Sequence, residues 1–291
     1  MGASVSAISI VAFPTSLTAT GGPNSVILSC AAVPKARYYA VFRSMVSGGP
    51  YKKIATTTAA GYTDLNVSDG TSYYYVMTAI DGASQSLNSP EASATPYKAY
   101  LGAPILIDVD FGAAATQSGG AVLGTNGDTW NAASGTTTSI FNSSGAILSG
   151  VGLTLSGSGV YTDLGGTAMD NATAALMEDY AFGYTSATAK VSVSLTGLTN
   201  YRGAKFTLIV YAAGDNGGQG ASLTLGGVTG GNSGSTLSTS ALSRKISAGN
   251  GTAYQTFTGT IIDGTLSIAA SELSGQSFTV INGFQIYLTH P

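Results

Sequence analysis

Short runs of alternating apolar and polar residues follow one another along the whole chain, separated by turns rich in glycine, proline and asparagine. In residues 71–80, Tyr73, Tyr75 and Met77 fall on one side of an extended segment, and the residues between them fall on the other. Residues 205–212 alternate in the same way. A side-chain period of two residues predicts β-strands rather than helices. The pattern as a whole therefore predicts an all-β protein.

The first hundred residues hold the densest series of these runs. Residues 14–96 contain about seven predicted strands, separated by turn sequences such as residues 21–24 and 47–50. About seven short strands in a segment of this length are typical of an immunoglobulin-like sandwich. The pattern predicts such a sandwich as the first domain.

Four segments of this region carry a more specific resemblance: PTSLTATGGPNSVILS, YYAVFRSMVSGGPYKKIAT, YTDLNVSDGTSYYYVMTAID and SPEASATP. Through them, residues 14–96 resemble a bacterial fibronectin type III domain. The family usually has a core tryptophan at the end of the second strand, where this chain has Cys30. We therefore expect Tyr39, Phe42 or Tyr75 to fill the lost volume, with a remaining cavity as the alternative. The resemblance implies a spacer or display module and assigns no chemistry.

The remaining residues, 105–291, predict a larger β-sandwich of the jelly-roll kind. One helical turn is predicted, at residues 172–180. Eight strands are predicted, at residues 105–111, 146–155, 190–195, 205–212, 221–225, 254–262, 264–270 and 278–288.

This second region resembles the galactose-binding-like β-sandwiches of secreted bacterial proteins. The resemblance is carried by VDFG, TWNAASG, YRGAKFTLIVYAAGD, AYQTFTGTIIDGTLSIAAS and INGFQIYL. Residues 97–104 form a linker between the two domains, and Pro104 stiffens its far end. Because Tyr97, Tyr100 and Leu101 are apolar for a linker, we expect them to pack between the domains and fix their angle.

Charge narrows the function classes. Only 9% of the residues are charged and the net charge is −3. Residues 1–100 carry six Lys/Arg and four Asp/Glu, whereas residues 101–291 carry five and ten. Neither part has a basic stripe, which argues against nucleic-acid binding. No apolar run reaches the ~18 residues of a membrane span.

Sparse charge with abundant Ser and Thr is typical of extracellular scaffolds, so we expect an extracellular or cell-surface location. The opening residues lack the charged start of a signal peptide. Export would therefore use a leader absent from this sequence.

Catalytic combinations are scarce. The single histidine is the penultimate residue, His290, and the single cysteine, Cys30, follows an apolar run that predicts a buried side chain. Asp108 and Asp110 could serve as a carboxylate pair for acid/base chemistry or for a metal. A lone D-x-D pair is more often the solvent-facing side of an edge strand, and we favour that interpretation. We therefore predict a protein that is not an enzyme.

A calcium ion is the one cofactor the sequence suggests. Asp170 and Asp179 lie with other acidic residues in a loop-rich stretch, and Ca²⁺ takes six to eight oxygen ligands. The EF-hand pattern is absent, so the alternative is an acidic, solvated surface. Asp170 and Asp179 are the predicted ligands if calcium binds.

Aromatic residues suggest a second kind of site. Tyr161, Tyr180 and Tyr184 lie in predicted loops or strand ends, where exposed rings beside Asn and Asp could stack on sugars. These tyrosines are the candidate glycan-binding residues, with a packing role as the alternative. For Trp130, the only tryptophan, we favour a packing role.

The N-terminal residues 1–13 form an apolar extension without an obvious partner in the first domain. Val5, Ile8, Ile10 and Phe13 give it the character of a strand that could pack on the second domain or add to a sheet of a neighbouring copy. The sequence thus predicts a non-catalytic structural or adhesion protein that self-associates into a surface or filament assembly. One alternative is a carbohydrate-binding accessory module with a fibronectin type III spacer, whose partner is a cell-surface or extracellular polysaccharide. Another alternative is a polysaccharide-active hydrolase or lyase.

Overall fold

The chain forms two compact units, Met1–Ala99 and Tyr100–Pro291. In this computed structural model, no α-helix occurs among the described residues, and no helix there is long and apolar enough to cross a membrane. The residues described are 11–82, 84–112, 121–125, 127–162, 179–184, 190–212, 219–230, 233–238, 251–272 and 278–291.

The first unit is an antiparallel sandwich of two sheets. One sheet has the order β1-β2-β5; in the other, β3 lies between β4 and β6, and both β7 and β8 pair with β6. This division of strands is that of an immunoglobulin-like sandwich, as predicted. The strands are β1 (Thr18–Gly22), β2 (Ser25–Ser29), β3 (Tyr38–Ser44), β4 (Lys52–Thr57), β5 (Gly61–Asp64), β6 (Tyr73–Asp81), β7 (Ser84–Gln85) and β8 (Ala92–Ala94).

Cys30 and two of the three aromatic residues expected to replace a core tryptophan belong to the core region of the first unit. Tyr39 and Tyr75 are buried in the core of the first unit, and the half-buried Cys30 packs against that core. The Tyr39 hydroxyl accepts a hydrogen bond from Val33 N at 2.8 Å, which fixes the chain just after β2. Phe42 is only half-buried. Which side chain fills the volume of the missing tryptophan stays a prediction.

A charged network joins the two sheets of this sandwich. The Tyr73 hydroxyl accepts a hydrogen bond from Ser68 N at 2.9 Å, the tyrosine corner of such sandwiches. The Arg43 guanidinium lies 5.1 Å from the centre of the Tyr73 ring and donates to Asp64 Oδ2 at 2.7 Å. Tyr75 donates to the same buried oxygen at 3.1 Å. Because Asp64 is 1% exposed, these two donors compensate the burial of its charge.

The second unit contains seventeen further strands and one 3₁₀ turn at Leu198–Tyr201 among its described residues. The strands are β9 (Ile105–Asp110), β10 (Trp130–Ala132), β11 (Thr136–Thr137), β12 (Ile140–Phe141), β13 (Ile147–Leu148), β14 (Gly152–Ser156), β15 (Gly159–Thr162), β16 (Asp179–Tyr184), β17 (Lys190–Thr196), β18 (Lys205–Tyr211), β19 (Gln219–Gly226), β20 (Val228–Gly230), β21 (Ser233–Ser238), β22 (Tyr254–Ile261), β23 (Thr265–Ser271), β24 (Phe278–Ile281) and β25 (Gly283–Thr289).

Two large sheets form this second sandwich. The six-stranded sheet has the order β10-β9-β25-β18-β22-β20. The nine-stranded sheet has the order β11-β14-β17-β23-β19-β24-β16-β15, with β21 added to β19. Residues such as Leu208 and Phe284 from one sheet and Val193 and Ile268 from the other share a single core. The larger β-sandwich is therefore confirmed.

Several predicted elements have different limits. The predicted strand at residues 146–155 is two strands, β13 and β14, with a turn at Gly150, whose φ is +79°. The strand at residues 278–288 is likewise divided into β24 and β25. The predicted helical turn at residues 172–180 is wrong at its end, because Asp179 and Tyr180 begin β16. Residues 172–178 lie outside the described residues.

Each end of the predicted linker is bonded within its own unit. Tyr97 N donates to Gly22 O at 3.1 Å in the first unit. Tyr100 N donates to Arg202 O at 2.9 Å in the second, and the Tyr100 and Tyr201 ring centres are 5.2 Å apart. The rigid joint expected from Tyr97, Tyr100 and Leu101 stays a prediction.

Candidate functional site

Asp108 and Asp110 lie on the outer face of β9, between β10 and β25 in the six-stranded sheet. Both are fully buried, so the expectation of a solvent-facing edge strand is wrong. The physical reason is that β9 is an interior strand and other residues cover its outer face. Because both carboxylates are buried, Asp108 and Asp110 lend no support to the hydrolase or lyase alternative.

Gln285 connects the sheet to the segment that covers it. Its Nε2 donates to Asp108 Oδ1 at 2.6 Å and to Leu123 O at 2.9 Å. Its Oε1 accepts from Leu123 N at 2.9 Å and from the Tyr211 hydroxyl at 2.5 Å. Tyr211 in turn accepts from Val122 N at 3.0 Å. All the hydrogen-bonding capacity of the Gln285 amide is therefore used, which holds residues 121–123 on the sheet.

Burial perturbs the acid at the centre of this network. The pKa of Asp108 is raised to about 7, mainly because burial disfavours the carboxylate, and the charge of Asp128 adds to the rise. The hydrogen bond from Gln285 opposes it. Asp108 Oδ2 has no hydrogen-bond partner in the part of the chain that the structure describes. Burial also raises the pKa of the neighbouring Tyr211 phenol. Asp108 is thus a structural acid that titrates near neutral pH.

Trp130 belongs to the same covered face. It is 6% exposed and packs with Ile209, Tyr211 and Ala253 in a small cluster outside the main core. Asn131, the next residue, donates through Nδ2 to Asp108 O at 2.9 Å. The packing role predicted for Trp130 is confirmed, and its ring is not available as a sugar platform.

The predicted glycan-binding tyrosines occupy two neighbouring strands of the other sheet. Tyr161 on β15 is paired directly with Tyr180 on β16, and Tyr184 follows four residues later on β16. Ala181, between them, belongs to the main core. Since successive residues of a strand alternate between faces, positions 161, 180 and 184 fall on the outer face of the nine-stranded sheet. We call these positions the tyrosine edge.

The predicted calcium ligands are not brought together on described residues. Asp170 lies outside the described residues, and Asp179 begins β16, where its backbone pairs with Thr162. Among the residues that the structure describes, no group of three or more His, Cys, Asp or Glu side chains could hold a metal ion. Calcium binding stays a prediction.

The N-terminal assembly strand is described only at its end. Val5, Ile8 and Ile10 lie outside the described residues. Val11 is 5% exposed and belongs to the core of the first unit, so the segment has a partner there at that position. Phe13 is 41% exposed.

The Gln285–Tyr211 network is not predicted by the alternation of apolar and polar residues. The available signal was a glutamine in the apolar run GFQIYL, where the residues on either side of it, Phe284 and Ile286, are core residues. A polar residue at the centre of such a strand marks an outer face that is either solvated or hydrogen-bonded beneath a cover.

Comparison with known proteins gives partial matches, and no family model matches the chain. An amylopullulanase from Thermoanaerobacter thermohydrosulfuricus is 43% identical over 84 residues, which are 28% of this chain and 6% of that protein. An amylopullulanase from Thermoanaerobacterium saccharolyticum is 39% identical over 69 residues, 23% of this chain and 5% of that protein. The matched segment therefore spans only a small part of these curated relatives.

Solved structures also match about a third of the chain. A Fn3-like protein from Clostridium thermocellum is 45% identical, with 31% of this chain and 97% of that chain covered and a TM-score of 0.29. A β-1,2-glucanase from Parabacteroides distasonis is 29% identical, with 33% and 14% covered and a TM-score of 0.28. The resemblance of residues 105–291 to galactose-binding-like sandwiches stays a prediction.

Proposed function

We propose that this chain is a non-catalytic, carbohydrate-binding accessory module of an extracellular protein, in which the fibronectin type III-like unit is a spacer. The observation that carries the proposal is the tyrosine edge, where the register of β15 and β16 brings three tyrosine positions onto one sheet face. Tyrosine combines an apolar ring with a polar hydroxyl, and stacking on the CH face of a sugar uses both. The name amylopullulanase, carried by the curated relatives, makes starch the first polysaccharide to test.

The non-catalytic part of the proposal is supported by burial. Asp108 and Asp110, the carboxylate pair singled out for acid/base chemistry, are fully buried. A hydrolytic centre needs its acid and base within hydrogen-bond reach of the substrate. Self-association through the N-terminal segment stays a prediction, and no observation on the described residues favours it.

A depletion assay tests the proposal. The purified chain is incubated with granular starch, cellulose or xylan, and the protein left in solution is measured. We expect retention on at least one polysaccharide and release of no reducing ends. The double variant Tyr161→Ala/Tyr180→Ala should be retained less. Its matched control is Tyr38→Ala, which removes an exposed strand tyrosine from the first unit. A wild-type chain that no polysaccharide retains would contradict the proposal.

A further inference from the structure

The outer face of the six-stranded sheet is covered only in part. Trp130, Asp108 and Gln285 are buried beneath the segment at residues 121–123, but Tyr287, two residues after Gln285 on β25, is 38% exposed. Beyond Tyr287 the outer face is open, and residues that are register partners on β25, β18, β22 and β20 form two rows across it. These rows, which we call the open face, are Tyr287–Thr207–Thr258 and Thr289–Lys205–Thr260–Thr229.

The open face forms a shallow groove. Lys205, Thr207, Thr229, Thr258 and Thr260 line it from three neighbouring strands, β18, β20 and β22. Lys205, Thr229 and Thr258 are exposed, and the other two are half-buried. Tyr287 borders the groove, because it pairs directly with Thr207.

The composition of the open face differs from that of an ordinary solvated sheet face. Solvent-facing strand positions usually carry several charged side chains, which also protect against aggregation. Of the seven residues in the two rows, five are threonines and only Lys205 is charged. Threonine contributes a hydroxyl that donates and accepts hydrogen bonds on a side chain with little rotamer freedom. The open face is therefore a stiff array of hydroxyl groups next to one partly exposed aromatic ring.

We infer that the open face is a second carbohydrate-binding surface, and that it takes an extended polysaccharide chain. The inference rests on the proposed function and assigns a site to it that is separate from the tyrosine edge. The Tyr287 ring would stack on the apolar face of one sugar, and the threonine hydroxyls would exchange hydrogen bonds with its neighbours. Neighbouring strands lie about 4.8 Å apart, similar to the length of one sugar residue in an extended chain.

Lys205 supplies charged donors to this surface. Its Nζ donates to Thr260 Oγ1 at 3.0 Å, which holds the ammonium group beside the groove. An ammonium group has three N–H donors. Among the described residues, one of them is used on Thr260, which leaves two for the hydroxyl groups of a ligand. Hydrogen bonds from a charged donor are stronger than neutral ones.

The two binding surfaces lie on opposite sides of the second unit. The tyrosine edge is on the outer face of the nine-stranded sheet, and the open face is on the outer face of the six-stranded sheet. The shared core lies between the sheets, so the two outer faces point away from each other. One molecule could therefore hold two polysaccharide chains at once.

The test separates this site from the tyrosine edge. Binding to granular starch, cellulose and xylan is measured for the full chain, for Tyr161→Ala/Tyr180→Ala, and for the same double variant carrying Tyr287→Ala. We expect the double variant to keep residual binding, and Tyr287→Ala to weaken that binding by about tenfold, the loss typical of an anchoring tyrosine. Thr207→Val, which keeps the shape and removes the hydroxyl, should weaken it less. Tyr38→Ala in the same background is the matched control.

Each outcome decides between the two proposals. Residual binding that Tyr287→Ala leaves unchanged, or a double variant without any binding, overturns the open face and leaves the proposed function intact. Absence of binding by the wild-type chain overturns both. Circular dichroism and the thermal unfolding midpoint show whether each variant is folded. If Tyr287→Ala does not fold, Thr207→Val and Lys205→Met carry the test instead.

Discussion

The buried acid Asp108 should make the second unit lose stability as the pH rises toward neutral. Its pKa is about 7 in the folded chain, against 3.8 for an unperturbed aspartate. Below about pH 4 the folded and unfolded states both bind the proton, so the acid costs nothing. Between these two values the folded state binds more protons than the unfolded state, so the free energy of unfolding falls as the pH rises.

The size of this effect follows from the two pKa values. A difference of about three units corresponds to roughly 4 kcal/mol of stability lost between pH 4 and pH 8. Asp108→Asn keeps an oxygen that accepts the hydrogen bond from Gln285 but cannot ionise. We therefore expect the variant to be more stable than the wild type above pH 7, and the difference to shrink as the pH falls toward 4.

Urea unfolding followed by tryptophan fluorescence measures this difference. Trp130 is the only tryptophan and is paired with Asp108 across β10 and β9, so its emission reports on the second unit alone. Other carboxylates affect both chains equally, so the wild-type-minus-variant difference isolates Asp108. Asp263→Asn is the matched control, because Asp263 is an exposed carboxylate of the same unit. Parallel pH profiles for wild type and Asp108→Asn would refute the reasoning, as would a wild type that gains stability relative to the variant with rising pH.

Three further predictions concern the segment at residues 121–123 that covers the sheet, the first unit, and joint binding by the tyrosine edge and the open face. Gln285→Leu should destabilise the second unit by about 3 kcal/mol, because buried donors and acceptors lose their partners. Hydrogen exchange at the Leu123 amide, followed by mass spectrometry, should become faster. Unchanged exchange there would contradict the role of Gln285. Tyr73→Phe should cost the first unit about 1–2 kcal/mol in calorimetry, because Ser68 N loses its acceptor, whereas Tyr38→Phe should be neutral. The wild-type protein should raise the turbidity of a soluble starch solution by bridging polysaccharide chains, and Tyr287→Ala should abolish this effect. Equal turbidity with the wild type and the variant would count against bridging.

Local pattern predicted most of the strands because side-chain alternation is a property of neighbouring residues. It could not predict what covers a strand. The alternation in residues 205–212 predicts one face in the core and the other in solvent. Ile209 and Tyr211 lie on the face predicted to meet solvent, yet both are buried. Their cover includes Val122, which lies 89 residues before Tyr211. The error about Asp108 has the same origin, since Gln285 joins Leu123 across 162 residues.

The tyrosine edge shows the converse case. The chemistry of Tyr161 and Tyr180 makes them candidates for sugar stacking, but their spacing in the sequence does not predict that their strands pair. The register of β15 and β16 makes the two residues direct partners. Register is specified where one face is buried, because a shift by one residue would turn Ala181 out of the core. Composition could therefore suggest these residues, but the pairing of positions 161 and 180 follows from a register that the buried face fixes.

The border between the covered and the open part of the six-stranded sheet falls within β25, between Gln285 and Tyr287. This position affects how firmly the binding residue Tyr287 is held. Gln285 fixes the edge of the cover by bonding both the N–H and the C=O of Leu123. Tyr287, two residues further, pairs on one side with Leu106 and on the other with Thr207 in the interior of the sheet. Its strand is thus paired on both sides, and its partner Thr207 is β-branched. A ligand that binds such a surface immobilises few rotamers, so more of the contact energy remains as affinity. The open face is thus continuous along β25 with the network in which Gln285 bonds Asp108.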